Sequence, residues 1–119
     1  MNNKKLCILV LSLFFLSFLS GCTKSLQTNQ LLFGVKAAQM ELWDEAIFRW
    51  KKVVSSDPNS AAAHNNLAVA YEKKGMQEEA RKEYEAAMRI SPENKHIESN
   101  FQKFKQNLEE KEKKEHEKK

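Results

Sequence analysis

The sequence has little of what turns and sheets require, with three glycines and two prolines in 119 residues. It also lacks any stretch in which Val, Ile or Thr alternates with polar residues, the pattern that predicts a half-buried strand. Alanine, Glu, Lys, Leu and Gln dominate after the first quarter, and these residues favour helices. The length allows one domain at most. We therefore predict an all-α protein.

A strong excess of one charge is missing as well. The formal net charge is +4, and two of the basic residues, Lys4 and Lys5, lie in a segment that we expect to be removed. A nucleic-acid-binding protein would concentrate basic residues on one face. We therefore expect no nucleic-acid partner.

No catalytic or metal-binding pattern is present in the sequence. The three histidines, His64, His96 and His116, lie on different predicted helices, and we expect no free cysteine to complete a metal site. A phosphate-cradling glycine loop and a nucleophile motif are both missing. We expect no cofactor, no bound metal and no enzymatic activity, and we interpret His64 as a packing residue.

The N-terminal segment has the composition of a secretory signal. Residues 1–5 are polar and positive, and residues 6–19 are apolar apart from two serines. About fourteen helical residues rise roughly 21 Å, which is short of the roughly 30 Å hydrocarbon core of a bilayer. The length therefore favours a signal peptide over a permanent span.

The apolar segment closes with Leu19-Ser20-Gly21-Cys22, which resembles the lipobox of bacterial lipoproteins. The resemblance implies that residues 1–21 are removed and that Cys22 is acylated on its thiol and on its new amino group. Cys7 leaves with the signal peptide, so the mature chain would have no free thiol. Each buried CH₂ adds about 0.8 kcal/mol of membrane affinity, so two or three acyl chains would anchor the protein. The alternatives are an uncleaved anchor or a secreted protein with a stray cysteine.

The residues after Cys22 bear on sorting and on the link to the domain. In enteric bacteria an Asp after the cysteine marks inner-membrane retention, and here Thr23 follows it. The expected location is the cell envelope, with the outer membrane favoured in a Gram-negative host. Residues 22–29 are polar without a clear apolar period, and we interpret them as a lipidated tether.

An internal repeat relates residues 27–60 to residues 61–94 without a gap. Few residues are identical, but size classes agree, as a packing template requires. The alignment places Gly34 on Ala68, Ala46 on Ala80, Trp50 on Tyr84, Val53 on Ala87 and Pro58 on Pro92.

The second copy resembles a tetratricopeptide repeat, a helix-turn-helix unit. The first copy is looser, with Ala37 in place of the first aromatic residue and Glu41 in place of the turn glycine. The apolar periodicity predicts helices near residues 28–40, 44–55, 60–74 and 78–90. The residues expected to pack the repeats are Gly34, Ala46, Trp50 and Pro58 in the first copy and Leu67, Ala68, Tyr71, Gly75, Ala80, Tyr84, Ala87 and Pro92 in the second.

A fifth helix is predicted over residues 95–108, where one apolar stripe runs along a charged surface and would cap the open end of the array. Residues 109–119 carry no apolar side chain, which predicts a solvated helix extension or a frayed tail. Residues 30–108 would then form a short α-solenoid of two tetratricopeptide-like helix-turn-helix repeats and a C-terminal capping helix.

The resemblance also implies a binding groove, because the first helix of each pair lines a concave surface in this family. Such a groove would take an extended or helical segment of a protein partner. The expected groove residues are Leu31, Val35, Ala38 and Gln39 in the first copy, Asn65, Val69, Glu72 and Lys73 in the second, and Ser99 and Lys103 on the cap. As an alternative, Leu31 and Val35 pack against the tether. These two residues stand where chaperone-binding members hold a carboxylate, so that activity is not implied.

Together these patterns predict a membrane-anchored lipoprotein that binds proteins or peptides through its repeats. The alternative is a pilotin-like or other assembly factor for an outer-membrane machine. Trp43, Phe48 and Trp50 lie in the first pair, which no repeat precedes. We therefore also expect self-association or a partner contact at that end.

The substitution Cys22→Ser tests the anchor. Because no acyl chain can then be attached, we expect the protein to leave the membrane fraction and to incorporate no labelled fatty acid. Cys7→Ser is the matched control and should change neither property. Continued membrane association of the Cys22→Ser protein would identify the apolar segment itself as the anchor.

Overall fold

Helices account for most of residues 25–117, the range that this computed structural model describes. Helix α1 occupies residues 25–39 of that range. The others are α2 (Trp43–Ser56), α3 (Ala61–Lys73), α4 (Gln77–Ile90) and α5 (Lys95–His116). No strand occurs in the described part of the chain. The prediction of an all-α solenoid with two helix pairs and a fifth helix is confirmed.

Corresponding helices of the array begin in the same way. The Ser60 side chain accepts a hydrogen bond from the backbone N–H of Ala63 at the start of α3. Asn94 accepts bonds from the N–H groups of His96 and Ile97 at the start of α5. Helices α2 and α4 have no side-chain cap and instead carry two acidic residues in the first turn, whose charge the helix dipole favours. These residues are Asp44 and Glu45 in α2, and Glu78 and Glu79 in α4.

Helices α2 and α4 also end alike. Asp57 and Ser91 both have φ of −138°, with ψ of 85° and 72°. Each residue precedes a proline, whose ring disfavours the helical conformation at the residue before it. The prolines therefore set the length of the second helix in each pair.

The turns inside the two pairs differ in the residue that takes the left-handed conformation. Gly75 has φ of 74° between α3 and α4. Glu41 occupies the equivalent position of the first repeat and has φ of 57°. A left-handed conformation costs a residue with a side chain about 1–2 kcal/mol, so the first turn keeps its shape at a local cost.

The core consists of two adjoining clusters between the helices. The first joins α1, α2 and α3 through Ala37, Ala46, Trp50, Leu67 and Ala70. The second joins α3, α4 and α5 through Ala68, Ala80, Tyr84 and Phe104. Alanines recur in both clusters because a short side chain lets two helices approach closely.

The ring of Trp50 shows how tight this approach is. A Cβ atom added to Gly34 would lie 2.3 Å from Trp50 Nε1, so no larger residue fits there without displacing the ring. The indole N–H donates a hydrogen bond to the Leu31 carbonyl at 3.1 Å. The buried polar atom is therefore satisfied by the same helix that the ring covers.

One predicted boundary is wrong, and one open alternative is decided. Residues 25–29, predicted to be tether, are helical. This part of α1 lies along α2: Gln30 accepts a hydrogen bond from Arg49, and Leu26 and Gln27 share a cleft with Lys52. The capping helix continues to His116, well past residue 108. The tail is thus a helix extension, as its Glu- and Lys-rich composition allows.

The predicted signal peptide (residues 1–21) and Cys22 lie outside the described residues. None of the helices within residues 25–117 is both long and apolar enough to cross a membrane.

The substitution Glu41→Gly tests the cost of the first turn. Removing the left-handed strain should raise the free energy of unfolding by about 0.5–1 kcal/mol, after the added flexibility of the unfolded chain is subtracted. Chemical denaturation monitored by circular dichroism measures the change. Gly75→Ala is the matched control and should lower stability, and a loss of stability in the Glu41→Gly protein would contradict the assignment.

Candidate functional site

Helix α5 contacts two of the polar residues that were predicted to line a groove on α3. Asn100 Nδ2 donates a hydrogen bond to Asn65 Oδ1 at 3.1 Å, and Asn107 Nδ2 donates one to Glu72 Oε1 at 3.2 Å. Asn65 is buried as a result. The assignment of Asn65 and Glu72 to a free groove is therefore corrected: both residues fasten the fifth helix.

An apolar contact lies between these two polar pairs. Val69 is one turn from both Asn65 and Glu72 on α3, and it packs against the cluster that holds Phe104 of α5. The contacting stripe of α3 thus presents Asn65, Val69 and Glu72 in order. The facing stripe of α5 presents Asn100, Phe104 and Asn107. This pattern fixes the register of α5 on α3.

Tyr84 joins this interface from α4. Its ring is stacked on Phe101, with centroids 5.5 Å apart, and tilted against Phe104 at 5.3 Å. Its hydroxyl donates to Glu72 Oε2 at 3.1 Å. Burial, the Glu72 charge and this hydrogen bond raise the pKa of the Tyr84 hydroxyl above its ordinary value, so the phenol stays neutral.

The surface beside this interface remains open. Helix periodicity puts Leu32, Val35 and Gln39 on one face of α1, and Asn66 and Lys73 occupy the equivalent positions on α3. Leu32 is 60 % exposed and Val35 is 36 % exposed. Ser99 and Lys103 are exposed on α5. We call the surface formed by these seven residues the concave surface.

The predicted groove residues therefore differ in their exposure to solvent. Val35, Gln39, Lys73, Ser99 and Lys103 are solvent-exposed, and Val69 is half-buried. Leu31 and Ala38 pack against the first core cluster. The structure thus gives Leu31 a core contact, where the alternative interpretation had assigned it to the tether.

Sequence reasoning missed Leu32. It lies one helical turn from Val35 and aligns with Asn66 of the second repeat, so both the helical and the repeat period could have identified it. The predicted groove had instead used Leu31 and Asn65, each one residue earlier in its repeat. Leu31 packs against the first core cluster, and Asn65 is bonded to α5.

His64 is fully engaged by the protein. Its Nδ1 lies 2.6 Å from Glu83 Oε2 on α4, and its Nε2 lies 3.0 Å from the Pro58 carbonyl oxygen. Both ring nitrogens thus lie within hydrogen-bonding distance of oxygen atoms of the protein. His64 ties the start of α3 to α4 and to the preceding loop, and neither nitrogen is free for a ligand.

A second exposed surface lies on the first helix pair. Arg49 Cζ is 5.6 Å from the centroid of the Phe33 ring and 5.7 Å from that of Phe48. Lys52 Nζ is 4.4 Å from the Phe48 centroid and lines a cleft with Leu26. We call these five residues the end face. Of the three aromatic residues noted in the first pair, Phe48 is exposed and Trp43 is half-buried, whereas Trp50 is buried, as its predicted packing role requires.

Comparisons with known proteins agree with this fold. A model described as tetratricopeptide repeat matches residues 61–94, and one described as TPR repeat matches residues 39–75. A search of curated proteins finds no match. Residues 39–94 thus match models of tetratricopeptide repeats, in agreement with the helical repeats of the fold.

Two solved structures are similar to the chain. One is the first TPR of Spaghetti (RPAP3) bound to the HSP90 peptide SRMEEVD, with 18% identity, a TM-score of 0.45, and coverage of 71% of this chain and 94% of that one. The other is the NMR structure of the first TPR domain of human RPAP3, with 21% identity, a TM-score of 0.40, and coverage of 74% and 96%.

The raised pKa of Tyr84 predicts a loss of stability at alkaline pH. A tyrosine in the unfolded chain ionises near pH 10, whereas folded Tyr84 resists ionisation, so its stabilising effect is complete below about pH 10 and is lost above it. Tyr84→Phe should lower stability at pH 7 by about 1–2 kcal/mol, through the lost hydrogen bond to Glu72.

The difference in the free energy of unfolding between the wild type and the Tyr84→Phe protein should then narrow as the pH rises above 10, because only the wild type loses the contribution of neutral Tyr84. Tyr71, whose pKa is raised by burial and by Glu83 and Glu79, is present in both proteins and cancels. Denaturation curves collected from pH 7 to about 11 measure this difference. A difference in the free energy of unfolding that stays constant over this pH range would contradict the raised pKa of Tyr84.

Proposed function

We propose that this chain is a cell-envelope lipoprotein, acylated at Cys22, whose repeats bind a segment of a protein partner on the concave surface. The proposed anchor is supported by the lipobox-like residues that follow the apolar N-terminal segment. The outer membrane is the favoured location in a Gram-negative host. The alternative role, a pilotin-like assembly factor, uses the same anchor and surface and differs in the partner.

The exposure of Leu32 carries the binding proposal. This leucine is 60 % exposed on α1, and Val35 lies one turn away on the same surface. Solvating two apolar side chains side by side is unfavourable, so an apolar group of a partner would gain free energy by covering them.

The other side of the concave surface is cationic. Lys73 of α3 and Lys103 of α5 are exposed, and within residues 25–117 neither forms an ion pair. Both therefore keep their charge available to a carboxylate. A matching partner segment has an apolar residue for α1 and acidic residues for α3 and α5.

Photocrosslinking in intact membranes tests this surface. A benzophenone amino acid replacing Leu32 and one replacing Lys103 should capture the same partner, because both positions lie on one surface. Glu85, exposed on α4, is the matched control position and should give no adduct with that partner. Capture from Glu85 alone would assign binding to a different surface.

Variants measure the strength of the interaction. Leu32→Ser should lower the capture of the partner by the benzophenone at position 103 by about tenfold, which corresponds to the loss of one largely buried leucine contact. Lys73→Glu should lower it further by repelling an acidic partner. Glu85→Lys is the control and should leave capture unchanged. The identity of the captured protein separates an adaptor from an assembly factor.

A further inference from the structure

Within residues 25–117, the large exposed hydrophobic side chains lie in the first helix pair and its turn. Among the described residues, every large hydrophobic residue that is exposed lies between positions 26 and 48. They are Leu26, Leu32, Phe33, Val35, Met40, Leu42 and Phe48. Leu32 and Val35 belong to the concave surface, whereas Leu26, Phe33 and Phe48 belong to the end face.

Phe33 of the end face occupies a position that is buried elsewhere in the array. Phe33 is the repeat equivalent of Leu67, which is 1 % exposed because it packs on the first helix pair. Phe33 itself is 54 % exposed, since no described helix pair precedes it. At Phe33 the end face therefore continues the inter-repeat packing surface, without a described neighbour to cover it.

Phe48 is exposed for a different reason. The buried residues of α2 are Ala46, Trp50 and Val53, and helical periodicity puts Phe48 on the opposite side. Core packing does not require a phenylalanine there, and it is 49 % exposed. The equivalent residue of the second pair, Lys82, is a lysine, as expected of a solvated position. Phe48 thus adds an aromatic ring where a hydrophilic residue would suffice.

We infer that the end face docks onto the surface of a lipid bilayer. This inference rests on the proposed acylation of Cys22, because the anchor brings the bilayer to this end of the domain. Helix α1 is already described at Ser25, three residues after Cys22. Three residues span at most about 11 Å, so the first turn of α1 lies close to the headgroups.

The chemistry of the end face suits that occupant. Arg49 lies against the rings and is paired with Glu45. Lys52, in contrast, lies against the Phe48 ring without an ion-pair partner among the described residues and would meet the phosphates of anionic lipids. The rings and Leu26 would enter the boundary between headgroups and acyl chains, where apolar side chains of membrane-surface helices bind. Helix α2 runs back towards the start of α1, since Lys52 and Ser56 share a cleft with Leu26. Lys52 is therefore held at the end of the domain that carries the anchor.

Fluorescent labels on the full acylated protein test the docking. Phe48→Cys and its repeat equivalent Lys82→Cys are each labelled with an environment-sensitive dye and reconstituted into vesicles of phosphatidylethanolamine and phosphatidylglycerol. Because the mature chain would hold no other free thiol, labelling is site-specific. A lipid-attached quencher should quench the dye at position 48 several times more strongly than the dye at position 82. Circular dichroism confirms that both labelled proteins are folded.

Charge reversal provides a second readout. In a Phe48→Cys protein that also carries Lys52→Glu, quenching by the lipid-attached quencher should fall on anionic vesicles and stay unchanged on vesicles of phosphatidylcholine. Glu85→Lys is the control for a charge change away from the end face. Equal effects on both vesicle types would contradict an electrostatic contact with headgroups.

The possible outcomes are distinct. If the protein joins the vesicles but both labels stay equally accessible to an aqueous quencher, the anchor proposal stands and the end-face inference is overturned. If the label at position 48 is shielded from both quenchers, a second protein copy covers the face and the inference is again overturned. If the protein is not acylated and does not join the vesicles, the anchor proposal and this inference both fall.

Discussion

The array depends on one contact, made twice: a large ring of the second helix covers a small residue of the first. Trp50 lies directly over Gly34, and the contact is so close that a Cβ atom would overlap the indole. In the second pair Tyr84 and Ala68 share a cluster and are both almost fully buried. Close packing of this kind sets the angle within each pair, and alanines at the neighbouring crossings allow the next helix to follow.

In the second pair, the Tyr84 side chain also connects α4 to α5 and α3. The Tyr84 ring contacts two phenylalanines of α5, and its hydroxyl meets Glu72, which also binds Asn107 of α5. One carboxylate therefore links three helices. The consequence for function is that α5 occupies one stripe of α3 and leaves the adjacent stripe, with Asn66 and Lys73, to form the concave surface.

Much of the fold could be predicted from periodicity. The repeat spacing, the prolines after α2 and α4 and the apolar stripes placed the helices α2 to α4 to within one residue at most of their ends. Where the apolar signal stops, the prediction took residues 25–29 for a tether and left the state of residues 109–119 open. Residues 25–29 and 109–116 contain too few apolar side chains to show a period, although both segments are helical. Their helicity comes from continuation of an established helix, which a local pattern does not reveal.

The candidate site was predicted less well, because facing residues on neighbouring helices decide which polar groups are free. From the sequence alone, Asn65 and Lys73 are both polar residues of the same predicted helix, and nothing indicates which of them is exposed. In the structure Asn65 is bonded to Asn100 and Lys73 faces solvent. By itself, the sequence determined the helical class, the repeat, the close-packed small and aromatic residues and the lipobox-like cysteine. Only the tertiary structure decided that α5 takes the Asn65–Glu72 stripe and that Phe33 and Phe48 remain open, because exposure depends on which helix lies beside a residue.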